Sequence, residues 1–366
     1  MATREQQILE LIRQDPMLPQ QVIAERLGIS RSAVAGHIMN LTGKGLIKGR
    51  GYVLSDAPFV TVIGGANIDI HGRSAGKLLN RDSNPGTVLT SAGGVARNIA
   101  ENLVRLGVDC RLISAIGQDH HGQMLLRFCQ DAGINVQYVH EISTAQTSSY
   151  LAVLDETGDL RVAINDMGIV DQLTPARLDA QKAMLEQSSL LVIDCNLPAA
   201  TLGWLANNFA SRPIFVDTVS ATKALRLKPY LHAIHTLKAN TMEVAALVGQ
   251  KAHTQTDLRA IANLLHAEGV QRVFITRGEN GVFYSADDAH GIAKPTSGKR
   301  SIESTSGAGD AFLAGISYAW LAGWDLQQSL RFALTAADIT LSSPATNNPA
   351  LSLAAVGRAM EKQHAG

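Results

Sequence analysis

The segment from Ser304 to Asp310 combines small residues with a carboxylate at the start of a predicted helix. It reads Ser-Thr-Ser-Gly-Ala-Gly-Asp and runs directly into the apolar helical stretch Ala311 to Trp320. Bare backbone N–H groups at such a helix start can surround an anion, and the helix dipole favours negative charge there. An aspartate in the first turn can accept a proton from a hydroxyl that attacks a phosphoryl group. Asp310 is therefore the candidate base; the alternative is that it only complements the helix dipole.

Two glycine-containing motifs lie far apart in the chain. One is Gly307-Ala308-Gly309-Asp310, and the other runs from Gly93 to Ala100 and continues to Leu106-Gly107. Both resemble signatures of the ribokinase-like, or PfkB, family of carbohydrate and nucleoside kinases, and the resemblance spans about residues 59 to 360. It implies that Asp310 is the general base and that the anion hole for the γ-phosphate consists of Gly307, Ala308 and Gly309.

The resemblance also implies a fold, cofactors and an assembly. The fold is α/β, a Rossmann-like ribokinase fold with a small β lid, and the lid often pairs between two subunits, so a homodimer is expected. The implied cofactors are ATP and Mg²⁺. The family usually has an aspartate where this chain has Ser304, and that carboxylate commonly helps to bind an activating monovalent cation. The resemblance therefore gives no support for potassium activation.

Several residues match the family's substrate positions. Asn67 and Asp69 follow the first predicted strand, where Asp69 would accept hydrogen bonds from two sugar hydroxyls or, alternatively, form an Asx turn. Asn98 would face the sugar or pack between helices, and Asp166 would meet the substrate or lie in a solvated turn. The glycines that allow the backbone to approach the sugar are Gly93 and Gly94.

Other residues match the family's nucleotide positions. Asn240 would lie near the phosphates and Glu243 would arrange water around Mg²⁺, which keeps several of its waters. A capping box between these two residues is equally sound physically and is compatible with that role. The family's nucleotide loop between two strands is matched by Thr276, Gly278 and Gly281. Asn347 matches a position near the adenine.

The segments Gly94 to Asn102, Asn165 to Met167 and Val216 to Ser220 are together most similar to pseudouridine kinases and their relatives. This similarity implies that ATP phosphorylates the 5′-hydroxyl of a ribonucleoside. A kinase for ribose or another sugar, or for a purine nucleoside, stays open. So does a different class, a ligand-sensing transcription regulator built on a kinase body.

Apolar strand-length segments alternate with helical ones from Pro58 onward, which indicates a mainly parallel sheet covered by helices. The predicted strands include Phe59 to Ile63, Cys110 to Ile116, Leu190 to Asp194, Pro213 to Val216, Ile234 to Leu237 and Val273 to Thr276. Residues 70 to 91 and about 135 to 168 instead carry alternating segments, such as Ser149 to Leu154 and Leu160 to Ile164, and are predicted to form the lid. The kinase domain is predicted to span 58–366.

Residues 1–55 form a separate basic module, with seven basic and four acidic residues. The pattern predicts two helices, the second of which ends at Gly28, then a third helix capped by Ser30 and a basic hairpin from Gly43 to Leu54. This arrangement resembles a winged helix-turn-helix domain of transcription regulators. The resemblance implies binding to double-stranded DNA; a docking or dimerisation module is the alternative. The predicted DNA contacts are Ser30, Arg31, Ser32 and His37 on base edges, and Lys44, Lys48 and Arg50 on phosphates.

Composition excludes several classes. The 366 residues are 46% hydrophobic and 17% charged with zero formal net charge, which excludes a disordered chain and a molecule that is basic throughout. The apolar runs are far shorter than the roughly 20 residues of a membrane span. The amino terminus lacks the apolar core of a signal peptide, and Cys110, Cys129 and Cys195 are widely spaced. We therefore expect a cytoplasmic protein with buried, reduced cysteines.

Overall fold

The computed structural model describes residues 3–47, 58–295 and 307–364. The chain divides into two compact units, Met1–Pro58 and Phe59–Gly366. The division falls at Pro58.

The first unit contains three helices, α1 (Arg4–Gln14), α2 (Gln20–Leu27) and α3 (Arg31–Gly43). Gly28 ends α2 with a φ of 63°, and the Ser30 hydroxyl accepts a hydrogen bond from the backbone N–H of Ala33 at the start of α3. The hairpin predicted after α3 lies largely outside the described residues, and so do Lys48 and Arg50. The helices share a buried core of Ile8, Ile12, Ile23, Val34, Ile38 and Leu41.

The second unit is built on an eight-stranded sheet with the order β14-β13-β12-β11-β10-β9-β1-β4. The strands from β4 to β12 in this order are parallel, and β13 and β14 add an antiparallel edge. The strands of the chain are β1 (Phe59–Ile63), β2 (Asn67–Ser74), β3 (Gly86–Gly93), β4 (Asp109–Ile113), β5 (Ala115–Gly117), β6 (His140–Ile142), β7 (Ser149–Leu154), β8 (Leu160–Asp166), β9 (Leu190–Asp194), β10 (Ile214–Asp217), β11 (Thr236–Asn240), β12 (Arg272–Thr276), β13 (Val282–Ala286) and β14 (Ala289–Ala293).

Helices cover both faces of this sheet, so successive residues of each strand enter different cores. Leu191 and Ile193 of β9 belong to one hydrophobic cluster, whereas Val192 belongs to the other, together with side chains of α4 and α12. The helices of this unit are α4 (Val95–Arg105), α5 (His120–Asp131), α6 (Pro175–Asp179), α7 (Lys182–Leu185), α8 (Ala199–Phe209), α9 (Ala221–Ala224), α10 (Thr241–Val248), α11 (Gln255–Ala267), α12 (Ala308–Leu321), α13 (Leu326–Leu341) and α14 (Leu353–His364).

A separate four-stranded sheet with the order β3-β2-β7-β8 occupies the segments predicted as a lid. Register pairing divides its side chains between two faces. We call one the polar face, defined by Asp69, His71, Tyr150 and Asn165. We call the other the apolar face, defined by Ile70, Val88, Leu151, Val162 and Ile164.

Several sequence-based element boundaries differ from the structure by one or two residues, and three differences concern the sheets. The single strand predicted over Cys110 to Ile116 is interrupted, because β4 ends at Ile113 and the next three-residue strand pairs with β6. The strand predicted at Ile234 begins at Thr236, since a 3₁₀ helix occupies Leu225–Ala233. The antiparallel edge formed by β13 and β14 is an addition to the predicted strands.

Two features bear on the expected environment of the chain. All three cysteines are buried and free, in agreement with their predicted role as small apolar residues. Among the described residues, none of the helices combines the length and the apolar character needed to cross a bilayer.

Candidate active site

The start of α12 is shaped by glycine. Gly307 precedes the helix with a φ of 79°, and a Cβ at this position would collide with the carbonyl oxygen of Thr346. The backbone amides of Ala308, Gly309 and Asp310 have no acceptor within the helix, because they belong to its first turn. These amides can therefore surround an anion, and the predicted anion hole of Gly307, Ala308 and Gly309 stays a prediction. The preceding residues 304–306 lie outside the described ranges.

Asp310 lies in this first turn with its carboxylate buried. Its Oδ2 accepts a hydrogen bond of 2.9 Å from Nδ2 of Asn98 on α4. Burial raises the pKa of Asp310 to about 7, and the neighbouring Asp217 carboxylate adds to the rise, whereas Lys238 and Asn98 oppose it. A carboxylate with such a pKa can exchange a proton near neutral pH. The structure thus brings together two residues that the sequence singled out from opposite ends of the second unit.

A buried ion pair lies beside the glycine turn. Asp217 ends β10 and Lys238 lies on the adjacent strand β11, and the two residues are register partners. Nζ of Lys238 lies 2.7 Å from Oδ2 of Asp217. A Cβ at Gly309 would collide with this ammonium group, so the cation lies directly against the glycine turn at the start of α12. Neither residue was given a role from the sequence, although both lie at the carboxyl end of a predicted strand, which is where ligands bind in such sheets.

The predicted sugar-binding residues also cluster. Nδ2 of Asn67 donates a hydrogen bond of 2.6 Å to Oδ1 of Asp69, two residues along β2. Burial raises the pKa of Asp69, and the Asn67 hydrogen bond opposes this rise. The Asp69 carboxylate occupies the space where a Cβ of Gly93 would lie. Gly93 therefore makes room for a side chain, whereas Gly94, with a φ of 98°, allows close contact with the backbone of residues 65–66.

A fully buried carboxylate, Asp194, joins the segment that precedes β2 to the start of α4. Its Oδ2 accepts hydrogen bonds from the backbone N–H of Gly65, at 2.9 Å, and of Ala96, at 3.0 Å, and its Oδ1 accepts one from the N–H of Asn196. Burial raises its pKa despite these bonds. Because Ala96 is in the first turn of α4, Asp194 fixes the helix that carries Asn98. Sequence reasoning missed this residue, although it too ends a predicted strand.

Asn347 is joined to α4. Its Nδ2 donates to the backbone oxygen of Asn98 at 2.9 Å, and its Oδ1 accepts from the Arg97 guanidinium at 3.2 Å. Arg97 is itself buried and paired with Glu101. The structure therefore places Asn347 against the first turn of α4, next to Asn98. Its contact with adenine stays a prediction.

The capping box between Asn240 and Glu243 is confirmed. Oδ1 of Asn240 accepts from the N–H of Glu243 at 2.9 Å, and Oε2 of Glu243 accepts from the N–H of Asn240 at 2.8 Å. The Glu243 carboxylate also accepts from the Thr218 hydroxyl at 2.7 Å and from Nδ2 of Asn240 at 2.7 Å. It is buried and its oxygens are largely occupied, so any action on Mg²⁺ would pass through water, as the sequence predicts.

The predicted nucleotide loop follows β12. Thr276 ends this strand, and its hydroxyl donates to the carbonyl oxygen of Ala239 on β11 at 3.3 Å. Gly278 and Gly281 both have positive φ, 59° and 81°, and a Cβ at Gly281 would collide with the backbone of Ala293. These glycines are explained by the tight connection to β13; their contact with a nucleotide stays a prediction.

Asp166 is separated from Asp69 by the lid sheet. It pairs with Ser149, which pairs with Ile68, so these side chains share one face and Asp69 belongs to the other. Oδ1 of Asp166 accepts a hydrogen bond from the N–H of Gly168 at 3.3 Å. This bond fits the alternative interpretation, in which Asp166 lies in a turn. Substrate contact by Asp166 stays a prediction, and the register gives it no support.

In the first unit, the predicted DNA-contact residues lie at the exposed start and along the side of α3. Arg31 and Ser32 are exposed, and His37 is half-buried. The Ser30 hydroxyl contacts that of Ser32 at 3.0 Å. Nζ of Lys44 lies 2.6 Å from Oε2 of Glu5, so this cation is paired within the unit.

Comparison with known proteins gives the following relatives. Residues 1–48 match the model of a winged helix-turn-helix DNA-binding domain. The chain is 40% identical over 352 residues to the uncharacterized sugar kinase YeiI of Escherichia coli (strain K12), covering 96% of this chain and 97% of the relative. It is 38% identical over 304 residues to the pseudouridine kinase of the same organism, covering 83% and 96%.

The fold is also found in solved structures. The structure of Arabidopsis thaliana ribokinase in complex with ribose and ATP superposes with a TM-score of 0.73 at 21% identity, covering 84% of this chain and 99% of the ribokinase. This likeness shows the ribokinase-like α/β fold. Residues 57–353 match the model of the pfkB family carbohydrate kinases. From this match and the two E. coli relatives, we conclude that the chain belongs to the PfkB family of kinases.

Proposed function

We propose that the protein transfers the γ-phosphoryl group of ATP to the 5′-hydroxyl of a ribonucleoside, with Asp310 as the general base. The observation that carries this proposal is the buried Asp310 carboxylate, oriented by Asn98 in the first turn of a glycine-bounded helix. The proton of the attacking hydroxyl passes to this carboxylate as the new O–P bond forms and the bond to the leaving oxygen breaks. The amides of Ala308 and Gly309 stabilise the charge on the transferred oxygens.

The residues present fit ATP with Mg²⁺. The free amides at the start of α12 and the buried ammonium of Lys238 offer positive charge to phosphates. Glu243, whose carboxylate is fixed by Thr218 and Asn240, would orient water bound to Mg²⁺. When bound, the metal neutralises charge on the phosphates. The loop of Thr276, Gly278 and Gly281 and the side chain of Asn347 are the proposed nucleotide contacts.

One observation supports an acceptor that carries vicinal sugar hydroxyls, and one comparison supports a nucleoside. Asp69 and Asn67 form a polar pair that can bind vicinal hydroxyls, and Gly93 leaves this carboxylate room. The pseudouridine kinase of E. coli is similar over nearly its whole length. The other E. coli relative is called a sugar kinase, so a free sugar is the second candidate. Gly94 and Asn98 complete the proposed substrate site; Asp166 is assigned to it by family resemblance alone.

The proposal is tested by measuring ADP release with a panel of nucleosides and sugars. Asp310→Asn keeps the size of the side chain and an acceptor for Asn98, but it cannot take up a proton. We expect it to reduce turnover by about 10²- to 10⁴-fold, the usual contribution of a general base. Asp179→Asn, at an exposed aspartate of α6, serves as the control and should match the unmodified protein. Equal turnover by the Asp310 variant would remove this residue from the mechanism.

The first unit supports a second activity, binding to double-stranded DNA. Residues 1–48 match a DNA-binding family, and α3 presents Ser30, Arg31, Ser32 and His37 along its exposed side. A ligand-sensing regulator would combine both units, with nucleoside binding altering the geometry of a dimer and hence the operator spacing. The exposed apolar face of the lid supports such a homodimer, because a second copy would cover it.

A further inference from the structure

Three polar side chains form a row across the lid sheet. Asp69 of β2 pairs with Tyr150 of β7, and Tyr150 pairs with Asn165 of β8. Directly paired residues project to the same side of a sheet, so all three side chains lie on the polar face. The row therefore begins at the carboxylate proposed to hold the sugar and ends at a carboxamide two strands away.

The members of this row differ in their surroundings. Asp69 is engaged with Asn67, and the half-buried ring of Tyr150 meets His71 edge-on, with ring centroids 6.3 Å apart and planes at 80°. Asn165 is exposed, and its carboxamide makes no hydrogen bond with another described residue. Along the row from Asp69, the flat ring of Tyr150 thus comes first, and the carboxamide of Asn165, with a free hydrogen-bond donor and acceptor, comes next.

The distance from one end of the row to the other is longer than a single sugar ring. Adjacent strands are about 4.8 Å apart, so Asp69 and Asn165 are separated by about 10 Å. A pentose bound at Asp69 cannot reach Asn165, whereas a pentose that carries a base can. This inference rests on the proposed function, because it uses Asp69 as the sugar ligand.

We propose that Tyr150 and Asn165 bind the base of a ribonucleoside whose ribose is held by Asp69. The base lies against the Tyr150 ring, since every nucleobase has a π-face that can stack on an aromatic side chain. The Asn165 carboxamide donates to a carbonyl of the base and accepts from a neighbouring ring N–H. A base with a –CO–NH– edge, as in uracil or hypoxanthine, meets this requirement. The substrate class is therefore a nucleoside with such an edge, and a free pentose leaves this half of the site unused.

The variants Asn165→Ala and Tyr150→Ala test the assignment, with Tyr150→Phe as the conservative variant. Asn263→Ala removes a matched exposed asparagine on α11 and is the control. Each protein is assayed by ADP release with pseudouridine, uridine, inosine and ribose, and nucleoside binding is measured by calorimetry without ATP. The calorimetric measurement makes the result independent of turnover.

We expect Asn165→Ala and Tyr150→Ala each to raise KM for the preferred nucleoside about tenfold, which corresponds to about 1.4 kcal/mol. The kcat should change little, KM for ribose should not change, and Tyr150→Phe and Asn263→Ala should match the unmodified protein. An equal change for nucleoside and ribose would indicate a distorted lid and would overturn the inference. Unchanged nucleoside KM and affinity would also overturn it.

The two proposals fail in distinguishable ways. If nucleosides bind with the predicted dependence on Asn165 but are not phosphorylated, the base site stands and the proposed function is wrong. If ribose is phosphorylated and no nucleoside binds, phosphoryl transfer stands and the base site is overturned. If neither nucleoside nor ribose is bound, both proposals are wrong.

Discussion

At the scale of single residues, the pKa of Asp310 depends on burial and on charged and polar groups of several elements. Burial and the Asp217 carboxylate raise its pKa, whereas the Lys238 ammonium group and the Asn98 hydrogen bond lower it. The Asp194 carboxylate adds a smaller rise. The Lys238–Asp217 ion pair thus places one charge of each sign near Asp310, and their effects on the pKa of Asp310 partly cancel.

Substitutions in this pair should shift the pH dependence in opposite directions. A general base acts when it is ionised, so kcat/KM should rise with pH through the Asp310 pKa of about 7. Lys238→Met removes a charge that lowers this pKa and should move the midpoint to higher pH. Asp217→Asn removes a charge that raises it and should move the midpoint to lower pH.

The measurement is kcat/KM against pH for the unmodified protein and both variants. Asp179→Asn changes the net charge by +1, as Asp217→Asn does, but at an exposed position of α6. It is the control and should keep the original midpoint. Shifts of the same sign in both variants would contradict the electrostatic assignment. A uniform loss of activity without a shift would show that the pair only supports the fold.

The sequence identifies candidate residues of the site but not the contacts between them. Asp310, Asn98 and Asp69 lie in recognisable motifs, so their roles could be proposed before any geometry was known. Their supporting groups could not, because the bond between Asn98 and Asp310 joins residues 212 positions apart. The Lys238–Asp217 pair likewise arises from the register of adjacent strands, which the separate sequences of β10 and β11 do not specify.

At the scale of elements, the lid shows what periodicity can and cannot reveal. Ser149 to Leu154 was predicted with the observed bounds of β7, because its turn and alternation are local signals. The division into a polar and an apolar face depends on the pairing of β2 with β7, which are distant in the chain and parallel. The first lid strand also begins at Asn67, before the predicted segment, so its polar alternation continues from the sugar site outward.

The apolar face of the lid should mediate dimerisation. Val162 is 54% exposed and Ile164 is 62% exposed, and both share this face with Val88 and Leu151. Val162→Lys would place a charge in an interface formed by two such faces, so it should convert a dimer to a monomer. Leu264→Lys, at a 42% exposed leucine of α11, is the control and should stay dimeric.

Sedimentation equilibrium checks this expectation. The unmodified chain should sediment with twice its mass of 39.0 kDa, and the Val162 variant with the single mass. A monomeric unmodified protein, or a Val162 variant that stays dimeric, would contradict a lid-mediated assembly.

At the scale of the whole molecule, the two units combine a kinase body with a DNA-binding family match. The similarity to the E. coli sugar kinase YeiI extends over 96% of the chain and so includes both units. The sequence predicted this division because the charge pattern and the element pattern both change near residue 55. The predicted wing lies largely outside the described residues, and so do Lys48 and Arg50. Among the predicted phosphate contacts, Lys44 can therefore be tested on the described part of the chain.

Lys44 should contribute to DNA affinity through phosphate contact. Its ammonium group is exposed and paired with Glu5, and an exposed pair of this kind is weak enough to exchange for a phosphate. Binding of random-sequence duplex DNA by the full chain should weaken steeply as salt rises, since each phosphate contact releases bound counterions. Lys44→Ala should reduce the slope of log affinity against log salt by about 1.

Arg13→Ala removes an equal charge from α1, outside the proposed DNA-contact residues, and should leave the slope unchanged. Glu5→Gln should act in the opposite direction to Lys44→Ala, because it frees the Lys44 ammonium group and removes a negative charge near the DNA. Fluorescence anisotropy across a salt series measures all four proteins under the same conditions. Equal effects of Lys44→Ala and Arg13→Ala would show that Lys44 acts only through the net charge of the unit and not through a specific phosphate contact. Affinity that does not depend on salt would rule out phosphate contact by this unit.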